Sequence, residues 1–386
     1  MELEVKDNII NSNSVDCSSI SGEVEKEDLY GVSSEATITT PFNPNSIDVD
    51  MATVNLGLLI DQLVNEEIDL QPDFQRASDI WDVTKKSRLI ESILLGLPLP
   101  SFYFSEDSYS QKLSVIDGLQ RLCAIKDFVI DKKLKLQNLQ FLHTFDGKGY
   151  DDLERPEIRR IKALKISVNT LRKTTPNDVK YIIFQRVNTA GVPLTPQEMR
   201  HALNQGHAAR FIKQLAELDS FVQATDHSVP SKRMQDRDFA NRFVAFYLGY
   251  AEYAGELDNF LNVKMGDLNR MSEGQLNEIL SAFDKSMRCC YTIFGQDTFR
   301  KRLSLDERRK PISKAVFDTV SVNIAWLSDE QRKRLVASGS LLRERMMELF
   351  NDDKFMKAIS TGTAQKYSVQ IRFSEFKKLI DNILAE

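Results

Sequence analysis

Polar residues suited to binding phosphate follow directly after an apolar, strand-like run. Residues 113–116 are mainly apolar and β-prone, and they lead into Asp117, Gly118, Gln120 and Arg121. Glycine permits a tight turn and close approach of a ligand to the backbone, and apolar residues then recur at helical spacing. Because the N–H groups at a helix N-terminus favour anions, the pattern predicts a nucleotide or phosphate site. A helix cap at Asp117 with a surface cation at Arg121 fits the same residues, so both interpretations stay open at this point.

Two further polar clusters, at 71–76 and 184–198, have the same character. Their candidate nucleotide-binding residues are Gln75, Arg76, Arg186, Asn188 and Gly191. Thr195 and Glu198 form the pattern of a capping box, with proline at the first helical position. That helix signal accounts for the last residues of the cluster at 184–198. It does not account for the glutamine, arginine and asparagine that precede it.

The bulk composition is typical of a globular protein. The chain has 386 residues, of which 42% are hydrophobic and 28% charged. A membrane span needs about eighteen consecutive apolar residues, and the sequence has no such run. Residues 1–30 lack the pattern of a secretory signal, and the four cysteines have no metal-ligand spacing. We therefore expect a cytoplasmic protein whose thiols are structural.

Charge is distributed unevenly along the chain. Residues 1–50 contain 11 acidic and 2 basic residues, whereas the rest contains 45 acidic and 49 basic residues. The acidic stretch is rich in serine, asparagine and threonine and poor in large apolar residues. We therefore predict that residues 1–47 form a disordered or loosely attached tail. The alternative is an acidic mimic of DNA that screens a basic face until a partner or substrate displaces it.

Hydrophobic periodicity divides the remainder of the chain in two. Residues 48–204 mix strand-like and helix-like patterns, whereas residues 205–386 have helical period almost throughout. In the first part the predicted helices are 54–68, 85–95, 119–130, 157–163, 177–187 and 195–204. The predicted strands are 101–104, 113–116 and 165–168, with a strand pair over 134–145. The predicted organisation is a mixed α/β core at 48–204 followed by an all-helical C-terminal domain at 205–386.

Several motifs occur in a recognisable order. They are Gln-Pro-x-Phe-Gln-Arg at 71–76, Trp81, Leu-Ile-Glu-Ser-Ile-Leu-Leu-Gly-Leu-Pro-Leu-Pro at 89–100, Asp-Gly-x-Gln-Arg-Leu at 117–122, and Asn-x-x-Gly-x-x-Leu-Thr-x-x-Glu at 188–198. Together they resemble the N-terminal domain of GmrSD-type modification-dependent restriction endonucleases, in the ParB/sulfiredoxin-like superfamily. The resemblance spans roughly residues 51–204. It implies an α+β fold, with a ParB/sulfiredoxin-like mixed α/β core followed by an all-helical C-terminal region.

The resemblance also implies a nucleotide-binding core. In that family an Asp-Gly-Gln-Gln-Arg motif is tied to nucleotide hydrolysis and to licensing attack on foreign, modified DNA. The matching positions here are Asp117, Gly118, Gln120 and Arg121, and the departure is Leu119, where the family usually has its first glutamine. If that glutamine orients the attacking water, Leu119 leaves a nucleotide binder that hydrolyses poorly. If it only positions the loop, little changes.

The residue types suggest a division of roles around an NTP with Mg²⁺. Arg121 and Arg76 could grip phosphate oxygens through their guanidinium forks. Asp117 could hold Mg²⁺ or orient a nucleophile, and Gln120 could position water. The amides of the two flanking clusters could contact ribose, base or phosphate. The alternative is that these residues form a buried polar network that holds the core together.

The sequence therefore predicts an NTP-hydrolysing sensor or regulatory component of a prokaryotic anti-phage or restriction system acting on modified DNA. Basic clusters such as 159–162 favour DNA as a partner. Residues 230–386 contain no histidine, so we do not expect a C-terminal His-Asn-His nuclease module, and a partner subunit could supply the nuclease. Two alternatives remain: a ParB-like metal-dependent nuclease or nickase using Asp117 and Asp73, and a non-catalytic DNA-binding or scaffolding subunit.

Overall fold

One mixed β-sheet organises the N-terminal half of the protein. The computed structural model describes residues 24–29, 47–70, 81–106, 112–187, 195–204 and 206–386. In these residues the strands are β1 (Val49–Asn55), β2 (Ile68–Asp69), β3 (Phe102–Glu106), β4 (Leu113–Asp117) and β5 (Lys165–Leu171). Their order is β1-β5-β3-β4-β2; β4 runs antiparallel to β3 and parallel to β2. The strand that ends at Asp117 therefore has a neighbour on each side.

Helices cover this sheet and bury its apolar side chains. They are α1 (Leu56–Val64), α2 (Val83–Leu94), α3 (Leu119–Ile125), α4 (Arg155–Ala163), α5 (Asn177–Val187) and α6 (Pro196–Leu203). Helix α3 continues as a π-helical turn at Lys126–Ile130. Apolar residues at helical spacing, such as Leu59 and Leu63 on α1 or Ile90 and Ile93 on α2, lie in the core with less than a tenth of their surface exposed. Helix α5 has the predicted bounds.

The predicted strand pair over 134–145 is wrong. Leu134 and Leu136 alternate with polar residues and are buried, but the segment is irregular apart from a 3₁₀ turn at its end. Its amides at 134 and 136 bond to backbone carbonyls outside the segment, and those at 137 and 139–142 bond to side chains. The Glu91 carboxylate on α2 accepts from three successive backbone N–H groups, at 140–142, over 2.7 to 3.0 Å. Side-chain acceptors thus replace the missing partner strand.

Residues 207–386 are largely helical, as predicted. The helices are α7 (His207–Ala216), α8 (Asp219–Ala224), α9 (Gln235–Gly249), α10 (Leu257–Asp267), α11 (Glu273–Phe294), α12 (Lys314–Ala325), α13 (Asp329–Ala337), α14 (Gly339–Phe350), α15 (Asp353–Ser360) and α16 (Lys366–Ala385). They share one large core rich in phenylalanine, including Phe239, Phe243, Phe283 and Phe317. The α+β fold predicted from the sequence is thereby confirmed.

An arginine links the two halves. Arg200 lies on α6, is 1% exposed, and pairs at 2.8 Å with Asp238 on α9 and at 2.9 Å with Asp258 on α10. Burial lowers the pKa of the Arg200 guanidinium, but the two carboxylates outweigh that effect and raise the pKa above its ordinary value. This contact ties the end of the α/β half to the helical half.

Residues 24–29 are docked on the helical half. The backbone N–H of Glu25 donates to Ile312 O at 2.8 Å, and Arg242 donates to both carboxylate oxygens of Glu27. The prediction of a loosely attached segment is therefore wrong for these six residues. The remainder of the predicted tail, apart from Ile47, lies outside the described residues. Among the helices that the structure describes, none is long and apolar enough to cross a membrane.

Candidate nucleotide-binding site

The turn between β4 and α3 depends on a glycine. Gly118 has φ +101°, in the left-handed region, and caps the N-terminus of α3. A Cβ added there would lie 2.6 Å from Cδ1 of Phe102, on the neighbouring strand β3. The turn is therefore packed directly on Phe102, and both its backbone conformation and its space require glycine. Because Gly118 is the cap, the interpretation of Asp117 as the helix cap is wrong.

Arg121 is buried beneath this turn. Its side chain is 10% exposed, and its Nη2 donates to Asp117 Oδ2 at 2.8 Å and to Ser101 O at 3.1 Å. Nη1 donates to Pro100 O, and the guanidinium lies 4.5 Å from the ring centroid of Phe102. Burial lowers the pKa of Arg121 below its ordinary value, although Asp117 opposes the shift. The interpretation of Arg121 as a surface cation is therefore wrong, since it joins the turn to the loop before β3.

Asp117 remains partly open to solvent. It is the last residue of β4, and 27% of its side chain is exposed. Leu119 and Gln120 are the first two residues of α3, and both are partly buried. The carboxylate thus stands at the mouth of the turn, held through one oxygen by Arg121. In the described part of the chain, no group of three or more His, Cys, Asp or Glu side chains is placed to hold a metal ion.

Elements that flank the other two clusters converge on β4. Strand β2 pairs with the start of β4 in parallel, so the chain leaves β2 in the direction of Asp117. Helices α5 and α6 both pack against β4, and Ile116 shares a small core with Tyr181 of α5 and Met199 of α6. Gln75, Arg76, Asn188 and Gly191 themselves lie outside the described residues. The prediction that the three clusters meet stays a prediction.

Arg186 lies on the last turn of α5 and is exposed. Lys180, near the start of that helix, donates to Glu106 O at the end of β3 remote from Asp117. Ile183, one turn later, packs in the core that contains Ile116 and Tyr103, and Tyr103 is paired with Asp117 across the sheet. The C-terminal end of α5 therefore points toward the end of the sheet at which Asp117 lies, and Arg186 is on that last turn of the helix.

Sequence reasoning missed the contribution of the loop before β3. Phe102 supports both Gly118 and Arg121, and the carbonyl groups of Pro100 and Ser101 fix the guanidinium. Backbone carbonyls have no sequence signature. The available signal is the Gly-Leu-Pro-Leu-Pro run at 96–100, which indicates a turn before β3 but not that its carbonyl groups face Arg121.

One protein-family model matches part of the N-terminal half. The model described as "GmrSD restriction endonuclease, N-terminal domain" matches residues 60–204. Residues 60–204 are a GmrSD-type N-terminal domain. The match begins within α1 and ends just after α6, so it contains all three polar clusters and leaves out β1 and the helical half. It confirms the resemblance seen in the motifs. Comparison with curated proteins and with solved structures gave no match.

Proposed function

We propose that the GmrSD-type N-terminal domain binds a nucleoside triphosphate with Mg²⁺ at the turn after β4. In this proposal the protein is an NTP-hydrolysing sensor or regulatory component of a prokaryotic restriction system that acts on DNA. The observation that carries the proposal is the partly exposed Asp117 carboxylate at the mouth of α3, on a turn that excludes any side chain at position 118. A partner subunit would supply the nuclease.

In this proposal the two arginines have roles that differ from those predicted from the sequence. Asp117 would hold Mg²⁺ together with phosphate and water oxygens, since Mg²⁺ is commonly bound through one or two carboxylates plus substrate phosphates. When bound, Mg²⁺ neutralises phosphate charge. Gln120 would position water, as glutamine does in some GTPases. Arg121 would act as a positioning residue that orients Asp117, and the exposed Arg186 would contact phosphate directly.

Nucleotide binding and hydrolysis test this proposal. We expect a fluorescent NTP to bind the full chain with Mg²⁺, and Asp117→Asn to abolish phosphate release while the melting temperature stays close to that of the parent. The four ribonucleoside triphosphates are compared, with and without DNA. Asp131→Asn is the matched control, because Asp131 is an acidic residue in the same half that pairs with Lys126 at 2.6 Å. Absence of nucleotide binding by a correctly folded protein would reject the proposal.

Leu119 offers a gain-of-function test. If the family's glutamine at this position orients water, Leu119→Gln should raise the rate of phosphate release, and Leu119→Met should not. Because Leu119 is partly buried at the first turn of α3, the methionine variant controls for packing. Equal rates for both variants and the parent would show that the position does not take part in hydrolysis.

DNA binding is proposed for α4. Of the basic clusters in the sequence, those near 233, 301 and 309 form ion pairs with Glu198, Glu25 and Asp226. On α4, by contrast, Arg159 and Lys162 are exposed and lie on one face of the helix. We expect Arg159→Glu/Lys162→Glu to weaken DNA binding and any DNA stimulation of hydrolysis. Lys377→Glu/Lys378→Glu on α16 is the control for net charge.

A non-catalytic scaffolding role is the second candidate. The buried contacts of Arg121 and the substitution at Leu119 favour it, because neither residue then serves hydrolysis. Nucleotide binding without phosphate release, unchanged by Leu119→Gln, would support this role.

A further inference from the structure

Residues 24–29 lie in a groove of the helical half and are held there by their backbone. Glu25 N donates to Ile312 O at 2.8 Å, and Val24 forms a parallel bridge with Ile312. At the other end, Thr363 N donates to Asp28 O and Ala364 N donates to Leu29 O, each at 2.9 Å. Main-chain bonds thus hold both ends of the segment, and main-chain bonds are one way in which proteins bind peptides.

Two glutamates of this segment enter a cationic groove. Glu25 pairs with Lys301 at 2.6 Å, and Glu27 accepts from Arg242 at 3.0 and 3.1 Å and from Thr363 Oγ1 at 2.8 Å. Burial raises the pKa of Glu27, but Arg242 and Lys314 outweigh that effect and hold the pKa below its usual value. The contacts show that both glutamates, at positions i and i+2, face cations of the groove.

The cations of the groove also have partners in the body of the helical half. Arg242 pairs with Asp318 at 2.6 Å, Arg372 pairs with the same carboxylate at 3.3 Å, and Lys314 pairs with Asp238 at 2.7 Å. Arg372 also donates to Thr363 O. The cations that face the segment are therefore positioned by the body of the protein. This arrangement is that of a preformed site.

The body of the helical half supplies too few carboxylates for these cations. Arg242 and Arg372 share the single carboxylate of Asp318. Among the described residues, the carboxylate paired with Lys301 is Glu25, and the other partner of Lys301 is the hydroxyl of Ser360. When residues 24–29 leave, the groove lacks two negative charges. It therefore requires an anionic occupant.

We propose that this groove is a recognition site for an extended acidic peptide with glutamates at alternate positions, that residues 24–29 occupy it in cis, and that an acidic strand of a partner protein replaces them. The site lies outside residues 60–204 and is independent of the proposed nucleotide site. Nineteen residues, 30–48, separate the segment from β1, so the segment can leave the groove while it stays connected to the sheet.

The backbone contacts favour a peptide over nucleic acid as the occupant. Phosphates could replace the two carboxylates, as the DNA-mimic interpretation requires. They could not supply the N–H group that donates to Ile312 O. The carbonyl groups of residues 28 and 29 accept from the two N–H groups of the 363–364 loop. The groove thus contacts both the charged side chains and the backbone of a bound peptide.

Exchange of a synthetic peptide tests the proposal in the full-length chain. The probe is a fluorescein-labelled peptide of residues 22–31, and binding is followed by fluorescence anisotropy. A Glu25→Gln/Glu27→Gln variant of the full chain weakens the cis occupant. It should bind the probe with a dissociation constant lower than that of the parent by roughly tenfold or more, because truncating one partner of a buried charge pair weakens binding at least that much. The same probe carrying both glutamines should bind neither protein.

A second experiment tests the proposal without the Glu25→Gln/Glu27→Gln variant. A thrombin site inserted between residues 30 and 46 converts the cis segment into a separable peptide after cleavage. We expect the cleaved protein to release the fragment on dilution and to bind the labelled probe. Retention of the fragment without exchange, or unfolding on its release, would show a permanent structural strap and overturn the proposal. Displacement by a double-stranded oligonucleotide but not by the acidic peptide would also overturn it, in favour of a phosphate site.

Discussion

The two halves of this protein use buried arginine in different ways. In the α/β half, Arg121 faces two backbone carbonyls and one carboxylate, Asp117, that still reaches solvent. In the helical half, Arg242 and Arg372 face Asp318, which is fully buried. The first arrangement leaves the carboxylate available to a ligand. In the second the carboxylate is enclosed, and Arg242 faces the carboxylate of Glu27 in residues 24–29. Burial of an arginine therefore does not by itself show which charge a site offers, and the exposure of its carboxylate partner helps to decide this.

The largest effect is expected at the enclosed network. Asp318→Ala removes the carboxylate shared by Arg242 and Arg372, and breaking a buried ion pair by removing one partner costs about 3–5 kcal/mol. Thermal and urea unfolding measure the loss. Glu330→Ala is the control, because Glu330 is exposed and lies 4.0 Å from its partner Lys333, so stability should not change. Equal stability of the two variants would mean that the network does not hold the helical half together.

A smaller effect is expected at the turn after β4. Gly118→Ala combines a left-handed backbone with a clash on Phe102, and we expect a loss of about 3–4 kcal/mol from backbone strain plus overpacking. Gly96→Ala shares the positive φ, at +74°, but has no atom within 4 Å of the added Cβ. It should therefore cost only about 1–2 kcal/mol. Chemical denaturation of both variants separates strain from packing, and equal losses would contradict close packing of Phe102 under the turn.

Variants of Arg121 and Arg186 distinguish a residue that positions the turn from one that contacts the ligand. Arg121→Lys keeps the charge but loses the fork that bonds Pro100 O and Ser101 O, and we expect a loss of about 2 kcal/mol. Arg186→Ala changes an exposed side chain, so the melting temperature should be unaltered while nucleotide affinity falls. Calorimetry and nucleotide titration on both variants test the contrast. If Arg121→Lys melts like the parent, its contacts with the loop contribute little, and a direct ligand role regains support.

Sequence reasoning succeeded where the signal was local. The helix predicted over 177–187 coincides with α5, and the pattern of strand, glycine and helix around Gly118 predicted the turn correctly. Strand β1 was missed because five of its seven side chains are exposed, which leaves no alternating pattern to detect. The docking of Glu27 was beyond reach for a different reason. Its partners Arg242 and Thr363 are more than 200 residues away, and complementary charge over such a separation has no signature in one sequence.

The smallest expected effect is a difference in the alkylation rates of two buried cysteines. These rates report how readily each half of the protein opens locally. Burial, with a contribution from Asp127, raises the pKa of Cys123 in α3 to about 11, and burial raises the pKa of Cys290 in α11 well above its ordinary value. At pH 8 a thiol with a pKa of about 11 is only about one part in a thousand thiolate, so alkylation should be slow at both positions. Labelling then requires local opening. We expect Cys123 to react faster than Cys290, because Cys123 lies in the helix that begins at the proposed nucleotide site, whereas Cys290 belongs to the large core of the helical half.

Peptide mass spectrometry after timed alkylation with iodoacetamide resolves the two positions. Addition of NTP and Mg²⁺ should slow the reaction at Cys123 and leave Cys290 unchanged, since a ligand at the turn stabilises only the structure around α3. Protection of both thiols to the same extent would mean that the halves open together, with the Arg200 link coupling them. Protection of neither, under conditions where nucleotide binds, would place the nucleotide away from the turn that Asp117 and Gly118 form.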